Sequence, residues 1–308
     1  MQDYQGVSWF DVTEHQHGQR IDNFLMMRLK GVPKSRIYRL IREGQVRVNK
    51  KRIKAEYRVQ AGDQIRVAPI RYQQKNEQDV PVSDKMAQGL LSRIVYEDDG
   101  LIVINKPSGL AVHGGSGVNF GLIETLRTAL QKPYLELVHR IDRDTSGLLM
   151  IAKKRSTLKK LQDLLREHKI QKTYWALVKG EVVLQQQLID APLLRYELAN
   201  GERRVRVSKE GKPSQTQWNV VQRFVGATLV EASPLSGRTH QIRVHGLSIG
   251  HPLLGDDKYG HQTPSNINAH RLCLHAKRLQ IPDYPIIETD LPDDMQSIIT
   301  PLQAKNGH

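Results

Sequence analysis

From Arg71 to Lys85 the chain reads Arg-Tyr-Gln-Gln-Lys-Asn-Glu-Gln-Asp-Val-Pro-Val-Ser-Asp-Lys, nearly without apolar periodicity and interrupted by a proline. A stretch of that composition reads as an exposed linker and divides the chain into two units. A chain of 308 residues has room for one sizeable core and a small accessory unit beside it. We place the small unit at residues 1–70, with its core at about 18–68, the linker at 71–90 and the large unit at 91–308.

The two units differ in charge. The whole sequence carries 46 Lys and Arg against 32 Asp and Glu, a formal charge of +14, yet Gly18 to Arg58 alone holds 13 basic and 3 acidic residues, which is +10 of that excess. Basic runs are often only solvated faces, but this concentration favours contact with phosphates and makes a polyanion the first partner to consider.

Within the small unit, Ile21, Phe24, Leu25 and Leu29 recur at three- and four-residue spacing and predict a helix that Gly31 stops. Pro33 suits the first turn of a second helix, with Ile37, Leu40 and Ile41 on its apolar face and Gly44 as a left-handed cap. That helix exposes Lys34, Arg36, Arg39 and Arg42. Val46 to Ile53 alternates apolar and basic residues around an Asn-containing turn, predicting a hairpin that carries Arg47, Lys50, Lys51 and Arg52. Ala61-Gly62-Asp63 then turns into a closing strand over 64–67.

The large unit alternates strand-like runs, at 101–105, 147–152, 173–178 and 227–232, with a helix at 122–130 and another capped by Ser156, whose apolar face is Leu158, Leu161 and Leu165. This pattern predicts a mixed α+β unit. The single cysteine, Cys273, excludes an intramolecular disulfide, a Cys-based zinc cluster and a redox pair, and points to a reducing compartment. No basic segment followed by an apolar one opens the chain, and no run approaches the ~20 apolar residues of a membrane span, so a cytoplasmic protein with no membrane partner is expected.

The segment most suggestive of chemistry is 137–152, Leu-Val-His-Arg-Ile-Asp-Arg-Asp-Thr-Ser-Gly-Leu-Leu-Met-Ile-Ala: an apolar approach, an ionisable turn and an apolar exit. His139, Arg140 and Arg143 surround Asp142 and Asp144 there, which fits either a salt-bridged turn or a site that holds a carboxylate ionised. No Walker loop, dinucleotide fingerprint or metal-ligand cluster is present, so neither a nucleotide cofactor nor a metal is expected.

Two resemblances rest on these residues. Arg20-Ile-Asp-Asn-Phe-Leu, Val32-Pro-Lys-Ser-Arg-Ile, Gly44-Gln-Val-Arg-Val-Asn-Lys-Lys and Ala61-Gly-Asp resemble the S4 RNA-binding domain. His139-Arg140-Ile141-Asp142, with Thr145-Ser-Gly-Leu-Leu after it, resembles the signature of the pseudouridine synthases that act on ribosomal RNA. Asn105-Lys-Pro-Ser-Gly with the Gly114–Gly117 turn, Gln171-Lys-Thr-Tyr, Gly237-Arg-Thr-His-Gln-Ile-Arg-Val-His and Arg271-Leu-Cys-Leu-His-Ala follow the order of that family's motifs. The resemblance spans the chain from the small unit through His275.

It implies a largely antiparallel sheet in the large unit and isomerisation of uridine to pseudouridine in 23S ribosomal RNA, free or in a large-subunit assembly intermediate, by a cofactor-independent monomer. Asp142 becomes the catalytic carboxylate, and Asp144 falls at a variable position. Arg140 is implied to fill the gap left by a flipped base, Tyr174 to contact that base, Leu274 to line the pocket and Arg243 to pair with Asp142. A guanidinium fork can hold a carboxylate at two oxygens. Two rivals remain: a non-catalytic ribosome-assembly factor on the same fold, and a hydrolase using His139 with a carboxylate, which lacks an accompanying Ser or Cys motif.

Overall fold

A computed structural model describes residues 6–29, 32–70, 84–114, 121–260 and 266–305. Gly31, residues 71–83 of the expected linker and the Gly115–Gly117 part of the expected turn lie outside the described residues.

The small unit contains β1 (Ser8–Asp11), α1 (Ile21–Arg28), α2 (Lys34–Arg42), β2 (Val46–Val48), β3 (Lys51–Arg52) and β4 (Gln64–Val67). Its four strands pair antiparallel in the order β1-β4-β2-β3. Phe24, Leu25, Ile37, Leu40, Val46, Ile65 and Val67 share one core, the apolar stripe of each helix facing the sheet. Pro33 sits one position earlier than expected: its extended ψ of 143° makes it the residue capping α2, not part of the first turn. Gly44 takes φ +71°, and the N–H groups of Gly44 and Gln45 close the helix on the carbonyls of Ile41 and Leu40.

Asn49 and Lys50 both adopt positive φ, the two-residue turn whose twist suits a hairpin. Asn49 Nδ2 donates to Asp63 Oδ1 (2.8 Å), and Asn49 Oδ1 accepts the Gln64 N–H (2.9 Å), so the basic hairpin is tied to the closing strand. Tyr57 and the Gln60 N–H complete the partners of the buried Asp63 carboxylate.

The large unit begins with α3 (Asp84–Leu91), which occupies the end of the stretch expected as linker because Leu90 is buried in the core. There follow β5 (Ile94–Glu97), β6 (Leu101–Lys106), α4 (Leu122–Ala129), β7 (Glu136–Leu137), β8 (Ser146–Ala152), α5 (Arg155–Arg166), β9 (Gln171–Lys179), β10 (Gln186–Asp190), β11 (Leu193–Glu197) and β12 (Arg203–Val207). The chain continues through β13 (Gln215–Phe224), β14 (Ala227–Pro234), α6 (Gln241–Ser248), β15 (Leu274–Gln280), β16 (Ile287–Glu288) and α7 (Asp293–Lys305). The main sheet runs β10-β13-β14-β9-β15-β8-β6-β5, with β11 and β12 in a separate ribbon. Among the described strands, β15–β8 is a parallel pair in an otherwise antiparallel sheet, so the unit is α+β with a mixed, largely antiparallel sheet. Ser156 is not the cap of α5; Lys154, extended as the chain leaves β8, takes that place.

Every residue of β8 is buried, and it lies between β6 and β15. The ionisable loop leads directly into this strand, so the strand's register decides where that loop points. Gly147 has φ +106°, and a Cβ there would lie 2.3 Å from the Ala276 carbonyl oxygen of β15. Among the described residues, no helix is long and apolar enough to cross a membrane. Gly147→Ala should cost roughly 2–4 kcal/mol in chemical denaturation, since both backbone strain and a main-chain clash result; a wild-type midpoint and slope would show that the β8–β15 contact relaxes freely.

Candidate active site

The loop 139–145 enters β8, and its main chain is gripped from the neighbouring strand. Lys106, fully buried at the end of β6, donates to the carbonyls of Pro107 (2.9 Å), Leu110 (2.8 Å) and Arg143 (2.7 Å). Burial pulls its pKa down to about 7, against the pull of Asp144 and Asp142 in the opposite direction. Ser108 Oγ donates to the Asp144 carbonyl (2.7 Å). The Asn105-Lys-Pro-Ser-Gly segment therefore acts on the loop's backbone, as a support, and leaves the loop's side chains free to face the cavity.

His139 is turned away from chemistry. Its Nε2 accepts the Met150 N–H (3.2 Å), and burial, helped by Lys172, lowers its pKa to about 3. With Nε2 committed to β8, the hydrolase reading loses its base. Arg143 pairs with the adjacent Asp144 (2.9 Å), so this carboxylate is engaged in a salt bridge within the turn.

Asp142, by contrast, faces a cavity of about 90 Å³ that also receives Arg140, Lys172, Tyr174, Arg243 and Leu274. The structure thus brings together all five residues of the large unit singled out in the sequence. Arg140 is exposed at this cavity, whereas Tyr174 is buried in β9. The direct neighbours of Tyr174 across the sheet are Ala232 on β14 and Ala276 on β15, two small side chains. Burial first, and Asp142 second, push the Tyr174 phenol well above its usual range, so it stays protonated. Lys172, on the same strand and lining the same cavity, is pulled down by burial.

Arg243 behaves differently from the expectation. Its fork is indeed bidentate, but to Asp256: Nε to Oδ2 at 2.8 Å and one terminal nitrogen to Oδ1 at 2.7 Å. Only the other terminal nitrogen approaches Asp142, at 3.5 Å from Oδ2. The reason is local geometry: α6 carries Arg243 towards the 253–260 turn, whose Lys258 and Tyr259 N–H groups also hold Asp256 Oδ1. Although burial works against its charge, the hydrogen bonds and Coulombic pull of Asp256 hold the Arg243 guanidinium firmly ionised. His240 stands beside it, with Nε2 3.8 Å from Asp142 Oδ2.

Asp256 and Tyr259 do not stand out in the sequence, and His240 appears there only as a member of the 237–245 motif, without a role of its own. The signal available for Asp256 is a Gly-Asp-Asp-Lys-Tyr-Gly turn, but nothing in that string indicates that its carboxylate faces a guanidinium 13 positions upstream.

Comparison with known proteins identifies the family. The RNA pseudouridylate synthase profile matches residues 100–248, and the S4 domain profile matches residues 19–65. Ribosomal large subunit pseudouridine synthase C of Haemophilus influenzae is 53% identical over 277 residues, 88% of this chain and 85% of that protein. The chain belongs to the RNA pseudouridylate synthase family. The protein of the same name in Pasteurella multocida is 52% identical over 98% of this chain and 96% of its own length, and that of Escherichia coli K12 is 52% identical over 87% and 86%. Among solved structures, human RNA pseudouridylate synthase domain containing 4 is 27% identical with a TM-score of 0.61, covering 71% of this chain and 96% of that one. As a pseudouridine synthase the chain is an isomerase, and its small unit is an S4 domain.

Two outcomes test the site's electrostatics. Asp256→Ala leaves a buried guanidinium without its fork partner and should lower unfolding free energy by roughly 3–5 kcal/mol, measured by urea titration; a decrease below ~1 kcal/mol would mean that Asp257, already 3.4 Å from the same nitrogen, Asp142 or water takes over. His139 gives a pH signature. Its folded pKa of about 3 lies below its ordinary value, so the unfolded chain binds the extra proton as pH falls. The stability it supports is complete above ~6.5 and declines towards pH 3. His139→Gln should flatten that decline in acid denaturation.

Proposed function

We propose that the chain converts uridine to pseudouridine in 23S ribosomal RNA of the large subunit, with Asp142 as the reactive carboxylate. The observation that carries this reading is the meeting, in one cavity, of an aspartate from the β8 loop, a buried arginine from α6 and a protonated tyrosine from β9. Relatives named as large-subunit pseudouridine synthases support the choice of RNA. The same intact constellation argues against a non-catalytic assembly factor.

The reaction breaks the bond from ribose C1′ to uracil N1, rotates the base and joins C1′ to C5. The C5 proton is lost and N1 gains one, so no atoms are added overall. Asp142 acts on the sugar either as nucleophile at C1′ or as base at C2′, chemistry open to a carboxylate held in a partly dry site. Arg243 approaches Asp142 through a single nitrogen, the rest of its fork being held by Asp256, with Asp257 also near at 3.4 Å. The target must leave its stack to reach Asp142, at a cost of a few kcal/mol. Tyr174 contacts the extruded base, Leu274 forms the apolar wall, and Arg140, exposed beside the cavity, occupies the vacated position in the RNA.

The S4 domain contributes affinity through phosphates. Lys34, Arg42, Arg47, Lys50, Lys51 and Arg52 are exposed, while Arg36 is half-buried and Arg39 is engaged by Glu43 at 2.7 Å. Residues 1–70 therefore form the RNA-holding unit, and the enzyme works as a monomer in the cytoplasm.

Asp142→Asn should bind ribosomal RNA normally and give no pseudouridine when incubated with 23S RNA lacking the modification; near-normal turnover would remove Asp142 from its role. Replacing Arg47, Lys50, Lys51 and Arg52 by Ala should weaken binding uniformly across RNA sequences and reduce the slope of log affinity against log salt by roughly 1 for each phosphate that those side chains neutralise. An unchanged slope would place the RNA elsewhere.

A further inference from the structure

His240 is unusual among the site's residues in lying in the left-handed backbone region, φ +53°, as the residue that leads into α6. That conformation fixes the ring between Asp142 and Tyr259. Its Nε2 is 3.8 Å from Asp142 Oδ2, and its Nδ1 is 2.7 Å from the Tyr259 hydroxyl, with the two rings edge to face.

The hydroxyl's other partner settles the tautomer. The Val205 N–H of β12 donates to Tyr259 Oη at 3.0 Å. If His240 carried its proton on Nδ1, Tyr259 Oη would receive two donors, and its own proton would have no acceptor among the described residues. If Tyr259 instead donates to Nδ1, each atom is satisfied, and the imidazole proton must sit on Nε2, facing Asp142. The environment favours the neutral ring. Burial lowers the pKa of His240, with Arg243 and Lys258 in support and Asp142 and Asp256 opposed, while burial raises Tyr259 to about 12 and keeps its proton in place.

We propose that His240 is a positioning residue: held as the Nε2–H tautomer by the Val205–Tyr259 relay, it donates to Asp142 Oδ2 alongside Arg243 and leaves Oδ1 to meet the substrate. The closest approach of both donors is to that same oxygen, and no side chain among the described residues hydrogen-bonds Oδ1. Shortening the 3.8 Å approach to a hydrogen bond needs a shift of ~1 Å, the kind of tightening that accompanies substrate binding. The role extends the reading of Asp142 as the reactive carboxylate and rests on it.

The imidazole nitrogens report directly on this. In long-range ¹H–¹⁵N spectra of ¹⁵N-histidine-labelled protein at pH 7, with His240→Asn identifying the signals, His240 should show the neutral Nε2–H pattern. In Tyr259→Phe that pattern should give way to a tautomer mixture. His240→Asn suits the left-handed backbone but cannot reach Asp142; its single-turnover rate should fall roughly 10-fold or more, with RNA affinity within about 2-fold of wild type. His240→Gln, whose amide N–H takes the place of Nε2–H, should recover most of the rate. An Nδ1–H tautomer, a charged ring at pH 7, or a wild-type rate in His240→Asn would overturn the proposal. Failure of the underlying reading is a separate result: Asp142→Asn would retain turnover whatever the tautomer of His240.

Discussion

The site depends on one buried ion pair. Arg243 is 2% exposed, and the Asp256 side chain is fully covered; a guanidinium in such a place is tolerable only because a carboxylate meets its fork at both oxygens. That pairing fixes the orientation of the arginine and leaves one nitrogen to address Asp142. The weaker, single-nitrogen contact suits the reactive role proposed for that carboxylate. A fork closed on Asp142 itself would have hidden both of its oxygens from a substrate.

Around this pair the fold separates support from chemistry. The loop carrying Asp142 is held by its carbonyls, through Lys106 and Ser108, and by the ring of His139 on the backbone of β8. None of those contacts uses the side chain of Asp142 or Arg140. Rigid backbone with uncommitted side chains is what a site needs if its geometry is to survive the arrival of a large, polyanionic substrate. The S4 domain meets a different need: its exposed cations sit on a helix and a hairpin, where phosphates can be contacted without reading sequence.

Local patterns carried much of the architecture. Apolar spacing identified α1, α2 and α5, and alternation with a turn residue identified the β2–β3 hairpin, because each element buries a face whose period is written in neighbouring residues. Caps were less legible. Pro33 and Ser156 both lie one or two positions from their expected roles, since the end of a helix follows the path of the chain entering it, here the extended Lys154 leaving β8. The end of the expected linker overlaps α3 for a similar reason: that helix is held in place by burying Leu90 against a core that its own sequence does not contain.

By itself the sequence determined two units, the basic character of the smaller one, and a set of motifs whose resemblance named Asp142, Arg140, Tyr174, Arg243 and Leu274. What only the tertiary structure decided is who holds whom. Asp142 and Arg243 lie on different elements about a hundred positions apart, and the same fold that joins them also swings the 253–260 turn onto the guanidinium. Hydrogen-bond partners are settled by distance and direction in space, so the preference of Arg243 for Asp256, and the relay from Val205 through Tyr259 to His240, exist only once α6, β12 and that turn have packed together.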